Sequence, residues 1–510
     1  MRSLVIALGL LAAAEGVAAA QFVSSGDKLS EPAAQNVDET KLIGRLYATF
    51  GYYSESESSG DGMTASPDTL FWGDLRARLE ADHISGSSFD FLGDFRLRFT
   101  PDDYTVHPAG SVRPPITSSR GWIGGKEYDL RELFGRYGSE SAAFAVGRLI
   151  LRDVDAMTVD GATFTGRTSP SFEYGLAAGL FPNPYSRSFD TDYKFADDDT
   201  RSVTGYPAAV GAWGGYRFAQ FYGSVGAGAI FPRNTSPTFK EDNRIFVTAH
   251  GYARVSPTVN FFHYGVVDAA GAAGAQLTNL QLGADWMATA PLRFELAYSH
   301  MSTYAIETYF RNYLETVTDP MNLTNNLDVA RVAADEGRLG VNYDFGAGLD
   351  VFGQVRYRRR GAIDTAQLPD AIAKLPVEAQ IDVSAGLRKK NAVAGWELGG
   401  NAAYITGDRT SSLFVVARGS HAYLEDRMDL DLDVSYVSYK DAVDVASPTG
   451  GQASGSTIRG GAQVVFRQTD HWMYLADLHL GYNTSSTDTG GLVGSTLLET
   501  IGLFRAQYSF

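Results

Sequence analysis

The chain has no cysteine among its 510 residues, so disulfide scaffolds, thiol chemistry and cysteine-held metals are closed to it. It has no basic surplus either. Its 43 Lys and Arg stand against 59 Asp and Glu, a formal net charge of −16, and a nucleic-acid partner needs a basic face. Past the first twenty residues no run of eighteen apolar residues occurs, so no helical membrane span is expected. Histidine is scarce. None of the eight (His83, His107, His250, His263, His300, His421, His471, His479) stands in an H-x-x-x-H or H-E-x-x-H arrangement, which leaves metal ligation without a spacing. No P-loop is present, no cofactor is implied and no enzyme is expected. Gly223, Gly226 and Gly228 lie in a strand-like run, AQFYGSVGAGAIF, where small residues ease packing or curvature. What is abundant is glycine (55) and aromatic residues (12%), alongside 20% charged residues, a balance unlike that of disordered chains.

Residues 1–20 read as a secretory signal peptide. Met1 and Arg2 give a positive start, Leu4 to Ala14 an apolar middle, and Ala18-Ala19-Ala20 a small-residue cleavage site before Gln21. Residues 21–40 are polar and mixed, and read as a flexible periplasmic tail. From residue 41 to 510 one pattern recurs, apolar and polar residues alternating with period two, which puts alternate side chains on opposite faces of a strand. In MDLDLDVSY (428–436) Met428, Leu430, Leu432, Val434 and Tyr436 share one face, and Asp429, Asp431, Asp433 and Ser435 the other. In 89–99 Phe89, Phe91, Phe95, Leu97 and Phe99 oppose Asp90, Asp94, Arg96 and Arg98.

Brief turns (84–87, 168–171, 288–291, 345–348, 389–392, 468–470) alternate with long polar segments (54–68, 100–126, 182–206, 305–330, 361–375, 441–455). This rhythm predicts an all-β chain with 41–510 forming one transmembrane, antiparallel, up-and-down β-barrel, with short periplasmic turns and long extracellular loops. About 22 strands are expected, with 18 or 20 still open because 153–156 and 411–423 are ambiguous. A strand that keeps one face charged needs water on that face, and lipid on the other requires a closed sheet. Phe71, Trp72, Tyr298, Tyr304, Trp472 and Tyr482, near strand ends, suit the headgroup level of a bilayer.

The last strand, TIGLFRAQYSF (500–510), places Phe504, Tyr508 and Phe510 on one face and ends on an aromatic. It resembles the terminal strand of Gram-negative outer-membrane β-barrel channels of the porin-like kind. The resemblance implies outer-membrane localisation after cleavage at Ala20. It also implies recognition of Tyr508 and Phe510 by the barrel assembly machinery, and contact with outer-membrane lipid and lipopolysaccharide. A second resemblance lies in VGRLILRDVDAMTVDG (146–161), since many large porins carry a Gly-Arg pair on one strand and an Asp-Gly pair on the next. Here these are Gly147-Arg148 and Asp160-Gly161.

With apolar faces toward lipid, the pore-lining residues are Arg76, Arg78, Asp90, Asp94, Arg96, Arg98, Arg148, Asp160, Arg356, Arg358, Arg388, Asp429, Asp431 and Asp433. The acidic ladder 429–433 and the basic run 356–360 suggest opposed charged walls. Twenty-stranded and larger barrels are wide, and about twenty residues before the first strand make no plug, so constriction is expected from loops, with 100–126 and 182–206 favoured. Asp190, Asp192, Asp197, Asp198 and Asp199 form an acidic cluster that is either a divalent-ion site or a solvated loop. The leading functional expectation is passage of hydrophilic solutes through a charged aqueous lumen. The alternatives are an export barrel for a secreted polysaccharide, working with periplasmic partners, and an adhesive barrel displaying its loops.

Overall fold

The computed structural model describes residues 40–59, 68–99, 105–106, 116–117, 126–139, 141–182, 189, 192–198, 201–204, 206–231, 243–270, 274–303, 332–361, 363–364, 374–375, 377–408, 410–442, 452–488 and 492–510. The signal peptide, nearly all of the tail and Tyr304 lie outside these. Twenty-two strands form a single antiparallel sheet. In chain order they are β1 (Lys41–Ser59), β2 (Asp68–Asp82), β3 (Phe89–Phe99), β4 (Lys126–Gly138), β5 (Ala142–Leu151), β6 (Met157–Ser169), β7 (Phe172–Leu180), β8 (Ala208–Phe218), β9 (Phe221–Phe231), β10 (Arg244–Ser256) and β11 (Val259–Ala270). The second half comprises β12 (Gln276–Thr289), β13 (Leu292–Thr303), β14 (Val332–Asp344), β15 (Leu349–Arg360), β16 (Glu378–Val393), β17 (Trp396–Gly407), β18 (Thr410–Tyr423), β19 (Met428–Ala442), β20 (Gln452–Arg467), β21 (Trp472–Asp488) and β22 (Leu492–Ser509).

Each strand pairs with its chain neighbours, and β22 pairs with β1, so the meander closes into a barrel. Closure removes the free edges that an open sheet would leave. At the seam Gly44 and Phe510 exchange two backbone hydrogen bonds of 3.0 Å. A Cβ at Gly44 would lie inside the Phe510 ring, so glycine there lets the terminal aromatic lie flat across β1.

The two faces differ in kind. Leu296 (60% exposed), Val434 and Leu498 stand out on one, while Asp94 (2%), Asp268 and Glu499 are buried on the other. Side chains crowd on the concave side of a curved sheet and splay on the convex side, so the charged face is the interior. That agrees with the alternation in the sequence, with two corrections. Trp72 pairs in register with Gly51 on the inner face, and Arg98 lies over its ring at 6.0 Å, while Phe71 stays outside. The expected turn at 389–392 is strand instead. β16 runs through a register shift to Val393, and the chain reverses at Ala394-Gly395, where Gly395 takes φ +85°.

The start of β1, the end of β22 and most of the short turns gather at one end, the turn end; the opposite one, which carries the long connections, is the loop end. The ambiguous stretch 411–423 belongs to β18, and 153–156 is a turn. Three segments read as loops each carry a small hairpin: Thr105–Val106 with Ile116–Thr117, Lys194–Asp198 with Arg201–Thr204, and Ile363–Asp364 with Lys374–Leu375.

Candidate functional site

The β5–β6 hairpin leaves the wall and enters the barrel. β4 pairs with β5 only from Leu133 to Gly138, although its partnership with β3 continues to Lys126. The departure point is Gly147, at φ +137°, where a Cβ would sit 2.0 Å from the Leu133 carbonyl oxygen. Beyond it the hairpin crosses to the inner face of β8–β11, and its tip, residues 152–156, docks there.

The docking is mostly apolar. Val154 and Val159 are fully buried, and with Leu149, Leu151 and Met157 they pack into one cluster with Phe246, Val266, Ala209 and Ile230. Glycines on the wall make the room. A Cβ at Gly226 would lie 2.1 Å from the Asp153 carbonyl oxygen, and one at Gly228 would meet Phe246 at 2.4 Å and Val154 at 2.8 Å. The glycine run in β9 therefore serves packing, as the sequence reading held.

Polar bonds fix the tip in place. Thr248 Oγ1 donates to the Asp153 carbonyl at 2.8 Å, and Tyr264 OH donates to the Asp155 carboxylate at 2.6 Å. Arg244 bridges Asp155 (3.1 Å) and the fully buried Asp268 (3.0 Å) while lying over the Phe246 ring. Ser224, His250 and Asp153 meet nearby, a set reminiscent of nucleophilic catalysis in composition only. Ser224 is buried, and its hydroxyl lies 3.2 Å from His250 Nδ1 and 3.4 Å from Nε2, so the ring is side-on to it. Among the described residues no group of His, Asp and Glu could hold a metal ion.

Arg148 and Asp160, expected to line the pore, do not face open water. They sit on the back of the hairpin, in the seam that it opens beside β4. Arg148 pairs with Asp160 (2.5 and 2.6 Å) and with Asp192 (2.5 Å), and also donates to the Leu130 carbonyl at 2.8 Å. Tyr193 OH donates to Asp160 at 2.5 Å, and burial together with that bond pushes its phenol well above the ordinary range. Phe189 completes the patch by donating its N–H to the Tyr128 carbonyl at 2.8 Å, its ring edge-on to Tyr128. Phe189, Asp192 and Tyr193 thus contact the edge that β5 leaves behind. Of the expected constricting loops, 100–126 and 182–206 fall mostly outside the described residues; the inward element is 149–159.

The remaining predicted residues form ion-paired ladders on the inner face. Arg76 chelates Asp94 (2.5 and 2.8 Å), with Arg78 at 3.8 Å. Arg96 bonds Asp74, Arg98 reaches Asp74 and Glu127 (3.7 and 3.4 Å), and Asp90 faces Arg136 at 3.5 Å. The run 356–360 is not a bare basic wall, because acidic residues on the flanking strands pair with it. Arg356 holds Asp382 (2.5 Å), Arg358 holds Glu336 (2.9 Å) and Arg360 holds Glu378 (2.9 Å), while Arg388 holds Asp350 (2.9 Å). On β19 Asp429 pairs with Arg467 at 2.6 Å, and Asp433 is in register with Arg418 of β18. Asp431, between them, is in register with Ser420. At the turn end Tyr508 packs against Trp472 and Phe510 on the outer face.

No family model matches this chain. No curated protein matches it either. Solved structures similar to it include Pseudomonas aeruginosa OpdQ, at TM-score 0.41 and 10% identity over 92% of this chain and 98% of that one. Acinetobacter baumannii OccAB4 gives TM-score 0.39 and 11% identity over 93% and 100%. The ferric enterobactin receptor PfeA of Pseudomonas aeruginosa gives 0.47 and 9% over 91% and 81%. Likeness this remote transfers neither cargo nor mechanism.

Proposed function

We propose that the protein is an outer-membrane channel through which small hydrophilic solutes pass passively, its bore narrowed by the β5–β6 hairpin. The observation that carries this is the polarity of the closed sheet, with a convex face of exposed Leu, Val, Phe and Tyr and a concave face of paired Arg, Asp and Glu. An unshielded charge toward hydrocarbon costs about 2–4 kcal/mol at mid-depth, so this polarity is stable with lipid outside and water inside. Barrels of 16–18 strands already leave an aqueous channel, and 22 strands enclose more space than side chains can fill. The turn end is then periplasmic and the loop end extracellular.

A steady opening is favoured over gated export. On the hairpin the faces are inverted: returned to the wall, Leu149, Leu151, Met157 and Val159 would face the water-filled bore and Arg148 and Asp160 the lipid. The hairpin is therefore a fixed partition. No chemical step is assigned to the protein. Tyr508 and Phe510, at the closing seam, are the proposed assembly signal, and lipid with lipopolysaccharide the proposed surroundings.

Reconstitution of the mature chain into planar bilayers tests the reading. Long-lived open currents, with swelling of proteoliposomes in small sugars, are expected. Inserted barrels that pass no current would overturn it.

A further inference from the structure

Across β19–β21 the outer face changes from apolar to hydroxyl in one step toward the loop end, while on β22 and β1 the hydroxyls begin lower, at Thr500, Ser54 and Ser56. Tyr436, Ile458, Tyr482 and Leu498 form one cross-strand row, all of them exposed. The next row, two residues further along each strand, is Ser438, Ser456, Thr484, Thr496 and Ser58, five hydroxyls on five neighbouring strands. Above it stand Lys440, Ser454 and Ser486. The Ser456 and Thr484 hydroxyls lie 2.9 Å apart, and those of Ser454 and Ser486 3.0 Å apart. The Ser454–Ser486 pair uses one hydroxyl proton and leaves the other for a ligand; Thr484 also donates to the Ser456 carbonyl at 3.4 Å, and its pair with Ser456 offers lone pairs. In the two rows themselves Lys440 is the only charged residue.

We propose that this hydroxyl band docks the phosphorylated saccharide headgroup of lipopolysaccharide in the outer leaflet. The inference rests on the outer-membrane reading above. Depth selects the partner, because the band continues directly from the apolar belt and begins where hydrocarbon must end. Whatever covers it is what sits on top of the acyl chains in that leaflet. Chemistry agrees. An uncharged lattice of donors and acceptors, with strands ~4.8 Å apart and rows ~7 Å apart, matches sugar hydroxyls rather than a dense anionic surface. Lys440, in the upper row, supplies one cation for a headgroup phosphate. The strands stay paired through this level, so the lattice is rigid and loses little freedom on binding.

The test compares wild type with a Ser456→Ala, Thr484→Val, Thr496→Val variant and with Lys440→Gln. Each is incubated in mild detergent with core-only lipopolysaccharide, phosphorylated or enzymatically dephosphorylated, and bound glycolipid per barrel is read by native mass spectrometry. The triple variant should bind both forms at least about fivefold more weakly, the equivalent of one ordinary hydrogen bond. Lys440→Gln should weaken only the phosphorylated form. Equal retention by wild type and the triple variant would overturn the proposal. Valine is as good a strand former as threonine, and a heat-modifiable gel shift reports that each barrel is folded. Conductance is measured in parallel. All variants should match wild type there, so a wild type without current tells against the channel, and equal glycolipid retention tells only against this docking surface.

Discussion

Gly226→Val puts a branched side chain where the hairpin tip touches the wall. Its Cβ would stand 2.1 Å from the Asp153 carbonyl oxygen and 2.9 Å from Thr248 Oγ1, and the first of these is backbone that cannot rotate away. The tip must therefore retreat by more than 1 Å, which breaks the 2.8 Å bond from Thr248 and strains those from Tyr264 and Arg244 to Asp155. Burying Val154 is worth about 1.5–3 kcal/mol, a neutral hydrogen bond about 1 and a charged one about 1.5–3. With both charged bonds to Asp155 lost, displacement forfeits about 5.5–10 kcal/mol of docking, whereas the barrel itself gains a better strand former. Larger and noisier single-channel currents in planar bilayers are expected. Gly211→Ala is the control, because its Cβ would meet Leu151, Met157 and Val154 at an ordinary 3.4–3.5 Å, and it should conduct like wild type. With no native cysteine, an Asp153→Cys, Thr248→Cys pair reports docking directly. If Gly226→Val loses that cross-link and still conducts like wild type, the docked hairpin does not set the bore; if the cross-link survives, the clash at Asp153 does not displace the tip.

Five further substitutions draw on the same geometry. Arg148→Met leaves Asp160 and Asp192 facing each other in the seam, a loss of about 3–5 kcal/mol that should lower the temperature of the gel-mobility transition by several degrees. Phe510→Ala removes the ring over Gly44, and should cut the folded fraction in outer-membrane preparations without altering the conductance of the barrels that assemble. Leu296→Arg, on the convex face, should cost about 2–4 kcal/mol in vesicle unfolding titrations, while Asp433→Asn on the concave face should cost little and shift ion selectivity toward anions. Arg356→Gln frees Asp382 from its 2.5 Å partner, and reversal potentials in a salt gradient should move toward cation preference.

Composition and period two were enough to specify a closed barrel and which residues share a face, and to bound the strand number at about 18 to 22. Lipid leaves a backbone few ways to satisfy its hydrogen bonds, and charge cannot alternate with apolar bulk unless the two faces meet different solvents. Alternation, however, carries no sign. It says that Leu149, Leu151 and Val159 lie opposite Arg148 and Asp160, and nothing local says which set faces the bore. Cross-strand register decides that. The same ambiguity misplaced Trp72, whose neighbour Phe71 reads as equally suited to the belt. A trace of the hairpin was present in the sequence, as a porin-like Gly-Arg and Asp-Gly pairing and as glycines crowded into 223–228, but the two are some seventy residues apart. Only the tertiary structure brings Val154 against Gly228 and Asp153 against Gly226, because contact across a barrel depends on curvature and closure rather than on spacing along the chain. The ladders divide the same way: sequence supplies the arginines of 356–360, and the strands on either side supply the carboxylates that pair with them.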